Sequence, residues 1–277
     1  MIKKKICFVV NIDYVVNNFL INHIDILSKI YDITVVVNAD SLPLLKKRKI
    51  KARLYKIEFI RGLKFWLDLQ SIFKLFHFLV SNRFDAVHSV TSKIGFFSML
   101  TSYIARVNFR IHIFTGQVWL NDKGFKRFAF KSFDRMTAFF STHLLVDSKS
   151  QMIFLNENKI GGKKKLLMLG NGSIAGVDIK KFKPNLKLRK EIRSLLSIPS
   201  KALCLIFVGR LNHAKGIIDL LHSLSYLNNS DIFLILVGND EENIIEHMSI
   251  NFKLQLNNIK CVGYSDNPEK FMVASDI

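Results

Sequence analysis

Short apolar runs alternate with longer stretches of helical period along almost the whole chain. Residues 5–10 read as a strand and 19–30 as a helix. Residues 33–37 are an unbroken β-branched strand, and 52–58 read as another. A long helix is predicted over 63–80, a strand over 86–90, a helix over 94–105 and a strand over 110–115. A helix at 123–140 and a strand at 143–147 follow. After the charged loop Lys159 to Lys165 comes a strand near 166–169, then a glycine-rich joint at 170–176. Pro184 and Pro199 bracket a short helix, 187–196, that reads as a linker. A second series begins at Ala202, with strands around 203–208, 232–237 and 259–262 joined by helices. Strands that are apolar throughout, each followed by a helix, predict parallel sheets covered on both faces. The expected architecture is α/β, with two Rossmann-like domains over 1–183 and 184–277 and a cleft between them.

The segment Phe207-Val208-Gly209-Arg210-Leu211-Asn212-His213-Ala214-Lys215-Gly216 is the most informative in the chain. A buried strand ends at a glycine, two cations occupy the loop, and the apolar run 217–224 opens a helix. This is how α/β proteins hold a phosphorylated ligand at the carboxyl edge of a sheet. Arg210 offers a planar fork and Lys215 a mobile point charge, and a diphosphate uses both. The segment is neither a P-loop nor the G-x-G-x-x-G dinucleotide fingerprint.

Charge changes the picture. The formal net charge is +19. Residues 1–183 carry 31 Lys and Arg against 12 Asp and Glu, whereas 184–277 carry 10 of each. Excess confined to one part points to attraction towards a polyanion, either an anionic membrane surface or nucleic acid. On the 123–140 helix, Lys123, Arg127, Lys131 and Arg135 are spaced four apart and form a cationic stripe. Phe125, Ala129, Phe133, Met136 and Phe140 fall on another face. Such a helix either packs on the sheet with its charges in water or touches a membrane. The three cysteines, Cys7, Cys204 and Cys261, lie in predicted strands without metal-ligand spacing and are expected to be reduced. Lys3 to Lys5 followed by 6–10 is too short for a signal peptide.

Family resemblance comes from the order of several motifs. G-R-L-x-x-x-K-G followed by I-x-D-L-L at 209–221 resembles the donor-site segment of retaining GT-B glycosyltransferases of the GT4 family. Phe233 to Gly238 is similar to that family's next strand and glycine turn, and Val262-Gly263-Tyr264 to the strand end that faces the nucleotide base. Leu169 to Ser173 and Gly176-Val177-Asp178 resemble its interdomain joint. Thr115-Gly116-Gln117-Val118-Trp119 and Asp134-Arg135 resemble a branch that builds bacterial surface polysaccharides.

The resemblance implies a transferase moving a sugar from a UDP- or GDP-sugar to a lipid-linked glycan in capsule, O-antigen or lipopolysaccharide synthesis. Arg210 and Lys215 would stabilise the departing diphosphate, and Gly209, Gly238 and Tyr264 would help bind the nucleotide sugar. No metal is expected, because no D-x-D motif is present. Asp240-Glu241-Glu242 reads as a solvated helix start. The enzyme would sit on the cytoplasmic face of the plasma membrane, bound peripherally. Family members often carry a sugar-facing His where Thr115 stands here. His112, His23 and His88 read as structural residues. The first turn, Asn11 to Asn18, lacks the glycines usual in the family. The family's E-x7-E motif does not appear before Ile277, so the second domain is expected to be incomplete and the chain by itself inactive. The alternatives are a basic nucleic-acid- or membrane-binding protein without catalysis, with no nucleic-acid motif in its favour, and a nucleotide-sugar epimerase of the same architecture.

Overall fold

The computed structural model describes residues 3–60, 62, 64–162, 166–227, 229–251 and 256–277. Leu63 of the expected long helix and Lys163 to Lys165 of the charged loop lie outside the described residues. The chain divides into two compact units, Met1–Gly176 and Val177–Ile277. The sequence reading placed the boundary seven residues later. Within the second unit, Lys181 forms an ion pair with Glu269 at 3.2 Å.

The first unit runs β1 (Lys5–Val9), the helical turn α1 (Asp13–Val15), a π-helical turn at Val16–Leu20, α2 (Ile21–Ser28), β2 (Asp32–Val37), α3 (Pro43–Lys47) and β3 (Ala52–Lys56). It continues with α4 (Phe65–Asn82), β4 (Ala86–Val90), α5 (Ser92–Ile104), β5 (Phe109–Phe114), α6 (Gly124–Phe140), β6 (His143–Val146), α7 (Lys149–Glu157) and β7 (Leu166–Met168). The seven strands form one sheet in the order β3-β2-β1-β4-β5-β6-β7. Every strand pair is parallel. This is the doubly wound arrangement, with the order reversing between β1 and β4. Phe8, Val10, Ile33 and Val35 contribute to one core, and Cys7, Val9, Leu75 and Val87 to another. Alternate residues of β1 therefore serve different cores, which explains its unbroken apolar sequence. Burial raises the Cys7 thiol far above its ordinary range.

The stripe on α6 differs from its expectation. Arg127 and Lys131 lie over the buried Trp119 ring, 5.3 and 5.2 Å from its centre. Lys131 Nζ also donates to Asn158 Oδ1 at 2.7 Å. Two of the four stripe cations thus pack against protein rather than stand in water. The buried residues of the helix are Asp134, Thr137 and Ala138. Asp134 accepts from Trp119 Nε1 at 2.7 Å and from Ser92 Oγ at 2.6 Å. Burial raises its carboxyl above the usual range despite both bonds. Phe125 (83% exposed), Phe128 and Phe139 instead face solvent. No helix among the described residues is long and apolar enough to cross a membrane.

The second unit comprises α8 (Leu186–Leu195), β8 (Leu203–Val208), a 3-10 turn at His213–Lys215, α9 (Ile217–Leu227), β9 (Ile232–Val237), α10 (Ile244–Asn251), a 3-10 turn at Leu256–Asn258, β10 (Ile259–Gly263) and α11 (Pro268–Ala274). Its sheet is parallel, in the order β10-β9-β8. Helix α8 is not a linker. Its Arg193 is buried and donates to the carbonyls of Ala274, Pro199, Ser200 and Ala202 and to Asp276 Oδ2. A guanidinium supplies five N–H donors, so this residue alone ties α8, α11 and the entry to β8 together. The edge of β8 also pairs with the last residues of the chain. Asp276 N donates to Cys204 O at 2.7 Å, and Ile206 N to Ile277 O at 2.9 Å.

Candidate active site

The carboxyl ends of β8, β9 and β10 bring the sequence-predicted residues to one edge. Gly209 N donates to Val237 O at 2.9 Å, and Gly238 N to Gly263 O at 2.8 Å. Gly209, Gly238 and the strand end before Tyr264 are thereby laced together. Gly238 has a φ of 152°, and a Cβ there would lie 1.8 Å from Gly209 O. That contact is far inside any van der Waals separation, so the absent side chain lets the two loops pass. Tyr264 is exposed, and its hydroxyl donates to Asp266 Oδ1 at 2.9 Å.

Local sequence shapes the cationic loop. Buried Asn212 caps the 3-10 turn, its Oδ1 accepting from Lys215 N at 3.1 Å. Gly216 then turns left-handed, with φ 77°, before α9 starts. Lys215 is exposed on this turn. Arg210 also faces outward, and its Nη1 lies 3.2 Å from Glu241 Oε2. Their side chains are 60% and 41% exposed, so water screens the pair. An ion pair of this kind contributes about 0–1 kcal/mol, which a diphosphate can displace.

The acidic triplet after β9 is more than a solvated helix start. Asp240 does cap α10, accepting from Ile244 N at 2.8 Å and Ile245 N at 2.9 Å. Glu241, however, also accepts from Asn212 Nδ2 at 2.8 Å. Glu242 accepts from the His213 ring and, at 2.9 Å, from the His213 backbone N–H. The ring bond and then the backbone bond hold its carboxyl below the usual range. Sequence reasoning missed these partners. The signal was available, since loops after neighbouring parallel strands lie side by side and the one after β9 is acidic. Among the described residues, no group of three or more His, Cys, Asp or Glu is arranged to hold a metal.

At the carboxyl edge of the first sheet, the histidines separate. His112 is buried on β5, with Nδ1 2.9 Å from Ser89 Oγ. Burial and then the nearby His88 hold it at about 3. Its ring occupies the space beside Gly95, where a Cβ would lie 2.3 Å from Cε1. His112 is therefore a packing residue. His23 donates from Nε2 to Ile174 O at 2.6 Å. His88, held at about 4 chiefly by burial, leaves Nδ1 without a hydrogen-bond partner. Buried Asn11 Oδ1, Asn17 Oδ1, Thr91 Oγ1, Gln117 Nε2 and Asp147 Oδ1 likewise have no partner among the described residues. Each such group costs about 1–3 kcal/mol unless something satisfies it.

The family model described as "Glycosyl transferases group 1" matches residues 189–277, which include the whole cationic loop and the β9 and β10 strand ends. Residues 189–277 are thus similar to group 1 glycosyltransferase domains. Two relatives extend the similarity into the first unit. The capsular polysaccharide biosynthesis glycosyltransferase CapM of Staphylococcus aureus is 26% identical over 76% of this chain and 56% of its own length. The UDP-Gal:alpha-D-GlcNAc-diphosphoundecaprenol alpha-1,3-galactosyltransferase of Escherichia coli is 22% identical over 78% of this chain and 57% of its own. The chain thus spans somewhat more than half the length of these glycosyltransferases. In three dimensions it is similar to Anabaena HepE, solved in complex with UDP and glucose, with a TM-score of 0.77. That likeness covers 99% of this chain and 72% of the other at 16% identity, and it shows the GT-B type of fold for this chain.

Proposed function

We propose that this glycosyltransferase moves a hexosyl group from a nucleotide diphosphate sugar to a lipid-linked glycan, with retention at the anomeric carbon. One observation carries the reading: Arg210 and Lys215 stand together on the loop after the first strand of a group 1 domain, at its carboxyl edge. When the bond between the anomeric carbon and the diphosphate breaks, negative charge builds on the departing oxygens. Fixed cations there lower the barrier by about 2.7–4 kcal/mol per group in comparable sites. The leaving group needs no metal in this reading, since the two side chains neutralise it. The acceptor hydroxyl supplies the new bond to the anomeric carbon. Gly209 and Gly238 let the backbone approach the ligand closely, and Tyr264 lies at the neighbouring strand end, where the base would sit. UDP is the favoured carrier, because the E. coli relative is named for UDP-Gal and HepE binds UDP.

In the same reading the protein binds peripherally to the cytoplasmic face of an anionic membrane through its basic first unit. Exposed Phe125, Phe128 and Phe139 on α6 and Trp66 on α4 support this, with the exposed Lys123 and Lys126 beside Phe125 in the manner of interfacial helices. The epimerase reading is second, because the family model matched by the donor loop is that of a transferase.

The test offers the reading frame that contains this chain a panel of UDP- and GDP-sugars with a polyprenyl-diphosphate-linked glycan, and follows products by mass spectrometry. A hexose-sized mass gain on the lipid, with the α or β configuration of the donor preserved, is expected. Interconversion of free UDP-sugars without transfer would favour the epimerase.

A further inference from the structure

The first unit contains a cavity of about 320 Å³ that the donor chemistry does not use. It lies at the carboxyl edge of the sheet, bounded by the segments after β1, β3 and β4 and by α5 and α6. Phe59, Phe96, Phe97, Phe130 and Phe133 line it. Val118, 60% exposed, also lines it, so the cavity opens to the surface there. The wall cation, Lys93, is occupied: its Nζ donates to Ile60 O at 2.9 Å and to Asp68 Oδ1 at 2.5 Å. Among the described lining residues the one cation is thus already paired.

Of the polar lining residues, Ser92 is bonded to Asp134 and Lys93 is paired, but Asn11 and Thr91 are unsatisfied. Asn11 Oδ1 and Thr91 Oγ1 are buried without hydrogen-bond partners among the described residues. Thr91 also has φ 73° and ψ 148°. This conformation is strained for a β-branched residue, and such strain collects at ligand sites. An aromatic cavity with polar atoms at the strand ends has the chemistry of an amphiphile site. Its size lies at the lower end of the ~300–1,000 Å³ usual for small-ligand pockets.

We propose that this cavity takes the first isoprenoid units of the acceptor lipid, with the phosphate head beside Thr91, whose hydroxyl can donate to it. The proposal rests on the reading that the acceptor is lipid-linked, as the name of the E. coli relative, which specifies diphosphoundecaprenol, suggests. Counting each carbon group at roughly the ~30 Å³ of a water molecule in the liquid, the cavity accommodates about ten carbons, or two isoprene units. The rest of a long polyprenyl chain would leave past Val118. Apolar burial then makes affinity depend on chain length until the cavity is full.

The experiment titrates the full chain with dimethylallyl, geranyl and farnesyl phosphates, with decyl phosphate and with inorganic phosphate, read by calorimetry. Geranyl phosphate should bind at least about tenfold tighter than dimethylallyl phosphate, with a smaller gain on going to farnesyl. Val118→Trp, a change at an exposed position that leaves the fold intact, should cost geranyl phosphate about tenfold or more by plugging the mouth. Phe133→Ala should shift the preference towards the longer farnesyl chain. Equal affinity for the five- and ten-carbon phosphates, or no effect of Val118→Trp, overturns the cavity assignment. Decyl phosphate binding as tightly as geranyl phosphate overturns the isoprenoid assignment. Chain-length-dependent binding that Val118→Trp abolishes, in a protein that transfers no sugar, keeps the cavity and overturns the transferase reading. Transfer to a lipid-linked glycan at equal rates with and without Val118→Trp does the reverse.

Discussion

The two units present opposite chemistry at the same place in the same topology. Both are parallel sheets whose carboxyl edges gather the polar residues of the strand-end loops. In the second unit that edge is charged and exposed, and its groups satisfy one another: Arg210 with Glu241, His213 with Glu242, Asn212 with Lys215. In the first unit several polar atoms at that edge, Asn11 Oδ1 and Thr91 Oγ1 among them, are buried and have no partner among the described residues. The difference shows what each can receive. Exposed, mutually paired charges exchange partners with an incoming anion at little cost. Buried unpaired dipoles beside an aromatic cavity require a ligand that removes water and supplies hydrogen bonds together. Net charge does not mark the exposed cationic edge, since the +19 excess lies on residues 1–183 and 184–277 carry none.

The comparison can be broken first through stability. Arg193→Ala should destabilise the second unit by about 3–5 kcal/mol, as expected when a buried charge network loses its centre. The first unit should be unaffected, so differential hydrogen exchange should show loss of protection confined to 177–277. Uniform loss across both units would mean that they do not fold separately. Next comes activity. Arg210→Ala or Lys215→Ala should lower turnover about 100- to 1,000-fold while leaving thermal stability within about 0.5 kcal/mol, as for ordinary surface changes. Near-normal kcat in both variants would remove the exposed edge from the chemistry.

Acid should then separate the units. His88 and His112 sit in the first unit with values held down to about 4 and about 3. Both are neutral when folded but take protons near 6.5 when unfolded. The unfolded state therefore binds more protons below about pH 6.5, and stability falls as pH drops from there towards 4 and 3. Each histidine contributes a slope of up to about 1.4 kcal/mol per pH unit. Urea titrations of His112→Asn should show a shallower acid slope than the parent, whatever the variant loses at neutral pH. The smallest effect belongs to Glu241→Gln. Releasing Arg210 from a screened ion pair is worth about 1 kcal/mol or less, so UDP should bind a few-fold tighter. Weaker UDP binding would make Glu241 a ligand-positioning residue instead of a competitor.

Much of the fold was legible because buried parallel strands leave continuous apolar runs, and every strand expected near its place is present. The misses share a cause. Helix α8 read as a linker because prolines flank it, yet one internal Arg reaches carbonyls from α11 and the β8 entry, contacts that no local pattern encodes. The cationic stripe on α6 was real as spacing, but Trp119 lies beneath two of its members. Short helices such as α3 and α7 carry too few turns for their period to stand out.

The sequence by itself determined the alternation of strands and helices, the cationic loop at 209–216 and the asymmetry of charge, because these depend on residue type and near neighbours. Tertiary structure decided which acid faces Arg210, why Gly238 must lack a side chain, which histidine is packing, and where five phenylalanines distant in sequence enclose a cavity. Those outcomes depend on strand order and on loops meeting across a sheet edge. Strand order follows from the whole fold and from no single segment of it.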